Sequence, residues 1–434
     1  MDARDPAIIQ DMQRVLGRPF PLLPRQELLA FVGAFFDLRD NYLGLVQSHT
    51  PPLYVLETAV LADRARRFRQ AFERVLPRVS FYYAVKSNNH PEVARALVAS
   101  GFGLDVSSGL ELKTALSLGA EDIVFSGPGK TDRELSLVAA HRGQVTVLMD
   151  SFGELERLEA VAAAAEVQVR TGVRVAIDPT GLWRKFGISL DRLPAFWERA
   201  RHCTHIQVQG LQFHSSWNLS PEPQTDFIKA LGRALQAMPG EFLNQMDFID
   251  IGGGYWPPQG EWLQAAGTPE GALRGALGKE VVRPDIHYRL LAAPISEFAD
   301  RIGAAVAEHI HTLVPCRICL EPGRWICNDA MHLLMSVVDK KAEDLVITDA
   351  GTNAVGWERF ETDYFPVLNL TRPGMEERAC HILGSLCTPH DLWGYAFWGS
   401  DIQPGDILMI PTQGAYTYSL RQHFIKPLPE LVTL

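Results

Sequence analysis

Short apolar runs alternate with longer amphipathic stretches along most of this chain. SFYYAVK (80–86), FGLDV (102–106), DIVFSG (122–127), VTVLMD (145–150), GVRVAID (172–178), IQVQGLQFH (206–214), DFIDIGGG (247–254) and CRICLEPG (316–323) read as strands. The stretches between them, PEVARALVAS and SGLELKTALSLGA among them, repeat apolar residues at helical spacing and end near glycine. Eight such βα units predict an α/β chain with a closed parallel (β/α)8 barrel rather than an open sheet. Ahead of them, Asp5 is the expected N-cap and Pro6 the first residue of a helix whose Ile8, Ile9, Met12, Val15 and Leu16 share one face. WPPQGEW and TPEGALRGALG, between the seventh and eighth strands, predict a loop insertion plus a helix. After the eighth strand, HLLMSVVDKK, DLVITDAG and GDILMIP predict an antiparallel β domain.

Composition narrows the function classes. Of 434 residues, 47% are hydrophobic and 21% charged, enough for a sizeable core. The net charge of −10 argues against a nucleic-acid or anionic-membrane partner, which would call for a basic surplus. No uncharged apolar run approaches the ~20 residues of a membrane span, and MDARDPAIIQDM mixes charges before any apolar stretch, unlike a signal peptide. Six cysteines in a chain this long do not form a disulfide framework. Cys316 and Cys319 have no second CxxC, and a strand would point their sulfurs to opposite faces, so no metal centre is expected. The chain reads as a cytoplasmic protein with reduced, mostly buried thiols.

Barrels of this class build their active sites at the C-terminal ends of the strands. Lys86, Asp105, His214, Gly252–Gly254, Glu321 and Arg324 all fall there. Taken singly, each has a plain structural reading: a snorkelling lysine, a flexible turn, a core histidine. Together they describe one chemistry. A partly desolvated amine suits imine formation, glycine N–H groups suit a phosphate, and a deep carboxylate keeps a heterocyclic nitrogen protonated. Those are the parts of a pyridoxal 5′-phosphate site.

From about residue 50 onward the chain resembles the fold-type III pyridoxal-phosphate-dependent decarboxylases, the ornithine, arginine and diaminopimelate decarboxylase family. The resemblance rests on Tyr83-Ala84-Val85-Lys86, Gly103–Ser108 with Glu111, Ser126-Gly127-Pro128-Gly129-Lys130 and Lys185-Phe186-Gly187. His214, Gly252–Gly254, Glu321-Pro322-Gly323-Arg324, Cys387, Gly405-Asp406 and Gly414-Ala415-Tyr416 continue it. It implies an alanine-racemase-like barrel with a C-terminal antiparallel β-barrel or sandwich, in a homodimer whose active site lies at the interface. Residues 1–52 would supply an N-terminal helix and strand packing on the β domain, 53–315 the cofactor-binding barrel, and 316–434 the last barrel strand and the β domain. By the same resemblance Lys86 carries the cofactor as an imine, His214 stacks on its ring, and Glu321 pairs with the ring nitrogen. Asp105 joins the cofactor site, and Ser216, Gly253, Gly254, Arg324 and Tyr416 hold the phosphate. Cys387 returns a proton after CO2 leaves through a quinonoid intermediate. Glu321 also separates the chain from the alanine racemases, which place an arginine there.

The departures concern the substrate. Relatives follow the cysteine with an acid that holds a distal ammonium; here the run is Cys387-Thr388-Pro389-His390-Asp391, making Thr388 and Asp391 the candidate specificity residues. The usual His-x-Gly-Ser loop reads His214-Ser215-Ser216-Trp217. The expectation is an amino acid or amino-acid conjugate as substrate, in specialised metabolism such as carboxylate siderophore assembly. The alternatives are a diaminopimelate decarboxylase of lysine biosynthesis and a non-catalytic, cofactor-binding partner protein.

Overall fold

Eight parallel strands close on themselves in the order of the chain: Val79–Ala84, Gly103–Val106, Ile123–Phe125, Val145–Met149, Val169–Arg174, Ile206–Gln212, Phe248–Asp250 and Arg317–Leu320. These are the eight runs expected from the sequence, and the last strand pairs with both the first and the seventh. The computed structural model describes residues 6–178, 180–279, 281–356 and 360–434. The barrel unit comprises Thr58–Pro258 and Ala292–Cys327, and a second unit comprises Met1–Glu57, Gln259–Leu291 and Asn328–Leu434.

Alternation along the strands builds the barrel interior in layers. Tyr82, Val124, Leu148, Phe248 and Cys319 form an apolar cluster. Gly172 and Gly210 face the Phe248 ring, where a Cβ would come within 2.9 and 2.4 Å of it. Two residues further along the same strands the interior turns polar: Asp105, Ser126, Asp150, Arg174, Gln212, Asp250 and Glu321 are all buried. Each polar side chain therefore stands directly above the apolar plug, at the end of the barrel where the strands run into their loops. Short loops lead from there into capped helices. The Ser108, Thr131 and Ser151 hydroxyls accept the N–H of Glu111, Glu134 and Glu154 respectively, so the S/T-x-x-E spacing starts three of the outer helices.

The second unit is a mixed sheet. Its strands run in the order Leu345–Thr348, Glu377–Leu383, Leu392–Trp398, Leu368–Asn369, Ile407–Ile410, Met331–Ala342, Leu53–Leu56 and Glu430–Thr433. Leu345–Thr348 also pairs with the far end of Met331–Ala342, which turns six of the strands into a closed ring. Its core includes Tyr42, Leu53, Val55, Trp262, Leu334, Tyr364, Trp398 and Met409.

Two expectations are corrected here. The β domain is not purely antiparallel: three of its pairs run parallel, Leu53–Leu56 with Glu430–Thr433, Leu345–Thr348 with Glu377–Leu383, and Leu368–Asn369 with Leu392–Trp398. The span 53–315 is not one barrel. Leu53–Leu56 is buried on both faces between two strands of the mixed sheet, Gln259–Leu291 groups with that sheet, and residues 316–327 stay with the barrel. The cause is barrel closure: the eighth strand must bond the first and seventh, leaving the apolar Leu53–Leu56 run to find partners elsewhere. The segment before it holds three helices, Pro6–Leu16, Arg25–Asp37 and Arg39–Val46, with no strand among the described residues. Asp5, the expected N-cap of the first, lies outside the described residues. No helix of the described residues is long and apolar enough to cross a membrane.

Candidate active site

The first barrel strand stops at Ala84, and the single 3-10 turn Val85–Ser87 carries Lys86. Its Nζ donates to Asp105 Oδ2 at 2.9 Å; the lysine side chain is 33% exposed and the aspartate 0%. Ser126 Oγ donates to the other oxygen, Oδ1. Burial and the nearby charge of Glu321 raise the Asp105 carboxyl, against the pull of Lys86. An amine held this way keeps partial access to water while it rests against a buried acid.

Glu321 stands across the layer, fully buried. Gln212 Nε2 donates to its two oxygens at 3.3 and 3.5 Å, and His214 Nδ1 lies 3.5 Å from Oε2. That Nδ1 accepts the Gly253 N–H at 3.1 Å, so it carries no proton to give to Glu321. Burial lowers the His214 pKa as well, which agrees with a neutral ring. Burial alone would raise Glu321, but the charges of Lys86 and Arg174 oppose it and favour the ionised carboxylate. With the imidazole neutral, the cations and the Gln212 amide are what sustain that charge.

Glycine geometry brings three loops together. Gly252 and Gly254 sit at φ +69 and +85°, in the left-handed region. A Cβ on Gly253 would lie 2.2 Å from the Glu321 carbonyl oxygen, and one on Gly254 2.2 Å from that of Ser215. Glu321 N–H donates to Gly252 O and Asn218 N–H to Gly254 O, both at 2.9 Å. Arg324 opens the short helix Arg324–Cys327, and its guanidinium lies 4.6 Å from the centre of the Trp256 ring, just past the glycine turn.

The structure thus brings Lys86, Asp105, His214, Gly253, Gly254, Glu321 and Arg324 onto one end of the barrel. Ser216 is exposed, while Ser215 beside it is buried with its Oγ accepting from Asn218 Nδ2 at 2.8 Å. Exposed Trp217, at φ +54°, takes the reversal that glycine would take more easily. Cys387, Thr388, Asp391 and Tyr416 belong to the sheet unit. Cys387 and Thr388 are exposed, and Tyr416, at φ +61°, is half-buried. Asp391 is a correction. Its buried carboxylate accepts the Thr352 N–H (2.7 Å), the Thr352 hydroxyl (2.9 Å) and the Leu386 N–H (2.6 Å), so it pins its own loop and presents no charge to a substrate.

Four residues of the polar layer escaped the sequence reading: Asp150, Arg174, Gln212 and Asp250. Arg174 donates to Ser126 O at 3.1 Å with its guanidinium 4.5 Å from the centre of the Phe186 ring. The signal was present in the strands, where each follows an interior position by two residues (Leu148, Gly172, Gly210, Phe248). Identifying it required knowing which parity faced inward.

The donor set fits pyridoxal phosphate. It offers a partly exposed amine beside an acid, an ionised buried carboxylate suited to a pyridinium nitrogen, a neutral imidazole, and a glycine turn with no Cβ to crowd a bound group. Comparison with known proteins agrees. The family described as pyridoxal-dependent decarboxylase, pyridoxal binding domain, matches residues 60–328. Diaminopimelate decarboxylase of Aquifex aeolicus is 26% identical, over 92% of this chain and 91% of its own length. The L-glutamyl-[BtrI acyl-carrier protein] decarboxylase of Niallia circulans is also 26% identical, over 82% and 83%. The structure of Helicobacter pylori diaminopimelate decarboxylase (I148L mutant) in complex with L-lysine superposes with a TM-score of 0.72 at 21% identity, covering 91% of this chain and 94% of that one. With the family matched over more than half its length, and with the barrel that the family requires, this chain belongs to the pyridoxal-phosphate-dependent decarboxylases of the ornithine and diaminopimelate type.

Proposed function

We propose that this carboxy-lyase acts on an amino acid whose far end is conjugated or carrier-linked, rather than on a free diamino acid. The observation that carries this reading is the loop after Cys387. Thr388 is neutral where an acid would hold a distal ammonium, and the next carboxylate, Asp391, is consumed by its own loop. The Niallia relative, named for a glutamyl group on a carrier protein, supports the same direction. A citryl-type conjugate of carboxylate siderophore assembly is the second substrate of this class.

Bound pyridoxal phosphate supplies the sink for the electron pair released as the Cα–carboxylate bond breaks. The chain's residues do the rest. Lys86 anchors the cofactor, and Asp105 exchanges a proton with Lys86 Nζ across their 2.9 Å contact. Glu321 holds the proton at the ring nitrogen, where its negative charge is best placed to keep it. The neutral His214 ring packs on the cofactor face. Gly253, Gly254, Arg324 and Tyr416, with Ser215 in place of Ser216, hold the phosphate. Cys387, supplied by a second copy of this chain in a homodimer, returns a proton to Cα.

The test is CO2 release from the holoenzyme over diaminopimelate, ornithine, lysine, and glutamate free and carrier-linked, together with citryl conjugates. Turnover of the conjugates alone supports the reading; a preference for diaminopimelate overturns it. That second reading, diaminopimelate decarboxylase, is favoured by the Aquifex relative and predicts that Thr388→Asp strengthens diaminopimelate turnover.

A further inference from the structure

We infer that Asp250 is a proton-carrying positioning residue that donates from Oδ2 to the Glu321 carboxylate and fixes that carboxylate in place. Asp250 ends its strand fully buried, directly beside Gln212 in one neighbouring strand and Cys319 in the other. Its Oδ1 accepts the Gly252 N–H at 2.8 Å, tying it to the glycine turn. Its Oδ2 is buried and receives no hydrogen bond from any donor among the described residues, and the same holds for Gln212 Oε1. The amide end of Gln212 is turned away, toward Glu321.

A buried acceptor left without a donor costs roughly 1–3 kcal/mol, more for a charged group, and the Asp250 carboxyl lies within hydrogen-bonding reach of that of Glu321. One proton shared between Asp250 and Glu321 satisfies Asp250 Oδ2, and the surroundings say which group carries it. Gln212 cannot. Glu321 is the acid that Lys86 and Arg174 favour as an anion. Asp105 is paired with Lys86, and Asp150 has Arg174 3.9 Å away. Asp250 alone has only carboxylates, those of Glu321 and Asp105, as its charged neighbours. The other titratable groups around it, the His214 ring, the Cys319 thiol and the Tyr255 hydroxyl, are neutral at ordinary pH. Burial and the charge of Glu321 push the Asp250 carboxyl well above the carboxylate range, as this arrangement requires. The role of Glu321 toward the ring nitrogen rests on the proposed mechanism; the proton on Asp250 does not.

Infrared spectra of the holoenzyme at neutral pH test this directly. The wild type should show the carbonyl band of a protonated carboxyl group, and Asp250→Asn, which keeps a donor at the Oδ2 position, should lose it. Asp250→Asn should reduce kcat less than tenfold, whereas Asp250→Ala should reduce it by about 10–100-fold, with circular dichroism reporting on the fold of each. An unchanged band in Asp250→Asn, or equal damage from both substitutions in folded protein, overturns the proposal. If the band behaves as expected but Glu321→Gln leaves the visible spectrum of the bound cofactor untouched, the reading of Glu321 fails while the proton on Asp250 stands.

Discussion

Two lysine–carboxylate pairs of the barrel unit, each with a buried carboxylate, are of similar length and opposite character. Lys130 and Glu154 meet at 2.7 Å with side chains 0% and 1% exposed, and Lys130 Nζ also donates to the carbonyls of Gly127 (2.7 Å) and Leu148 (2.8 Å). Burial lowers the lysine pKa and raises that of Glu154, but each remains fully partnered. Lys86 and Asp105 meet at 2.9 Å, with the aspartate equally buried and the lysine one-third exposed. The first pair ties the loop after Ile123–Phe125 to the helix Phe152–Ala164 and has no room for another molecule. The second leaves its amine at the mouth of the barrel. A buried ion pair becomes chemistry when one member keeps access to solvent, and that access comes from the 3-10 turn at Val85–Ser87.

Substitutions separate the two roles. Lys86→Ala should reduce CO2 release at least about 10⁴-fold, about 5–6 kcal/mol of barrel-mouth chemistry, and abolish the visible absorbance of the lysine-bound cofactor, while denaturant melts stay near wild type. Lys130→Met should do the reverse. It strands Glu154 in the interior and costs about 3–5 kcal/mol of stability, and Lys130→Met with Glu154→Leu should recover most of it in the same denaturant titration. Asp105→Asn keeps an acceptor for Lys86 but removes a charge, so turnover should fall about tenfold, about 1.4 kcal/mol, with a shifted pH–rate profile. Lys130 and Asp105 exchanging these phenotypes would break the comparison.

The smallest effect is in acid. Glu321 has its carboxyl pKa depressed in the folded barrel, so its stabilisation is present above the unfolded value of 4.5 and is lost as pH falls through the lower folded value. The wild-type stability advantage over Glu321→Gln should therefore shrink below about pH 4.5, by on the order of 1–2 kcal/mol in urea melts repeated across pH.

Much of this was legible along the chain. The eight barrel strands were, because each is a short apolar run bounded by turn residues, and so were Lys86, His214 and Glu321, because a polar residue ending such a run is conspicuous. The sheet unit was less so. Leu53–Leu56 reads like any apolar strand, yet its neighbours are Met331–Ala342 and Glu430–Thr433, hundreds of positions away. Nothing local distinguishes a strand that joins a barrel from one that leaves it. Asp391 looked like a candidate for holding substrate because an acid follows the cysteine; its inward turn depends on Thr352 and Leu386 lying beside it.

By itself the sequence determined the alternation, the glycine turns and the kind of side chain waiting at each strand end, since these follow from periodicity and local backbone sterics. Only the tertiary structure decided which acids face one another. Asp105, Asp250 and Glu321 are far apart in the chain, and closing the barrel places them in one dry layer where they cannot all hold a charge. The division of labour among them, one paired with Lys86, one ionised and one carrying a proton, is set by burial and by neighbours that no stretch of sequence contains.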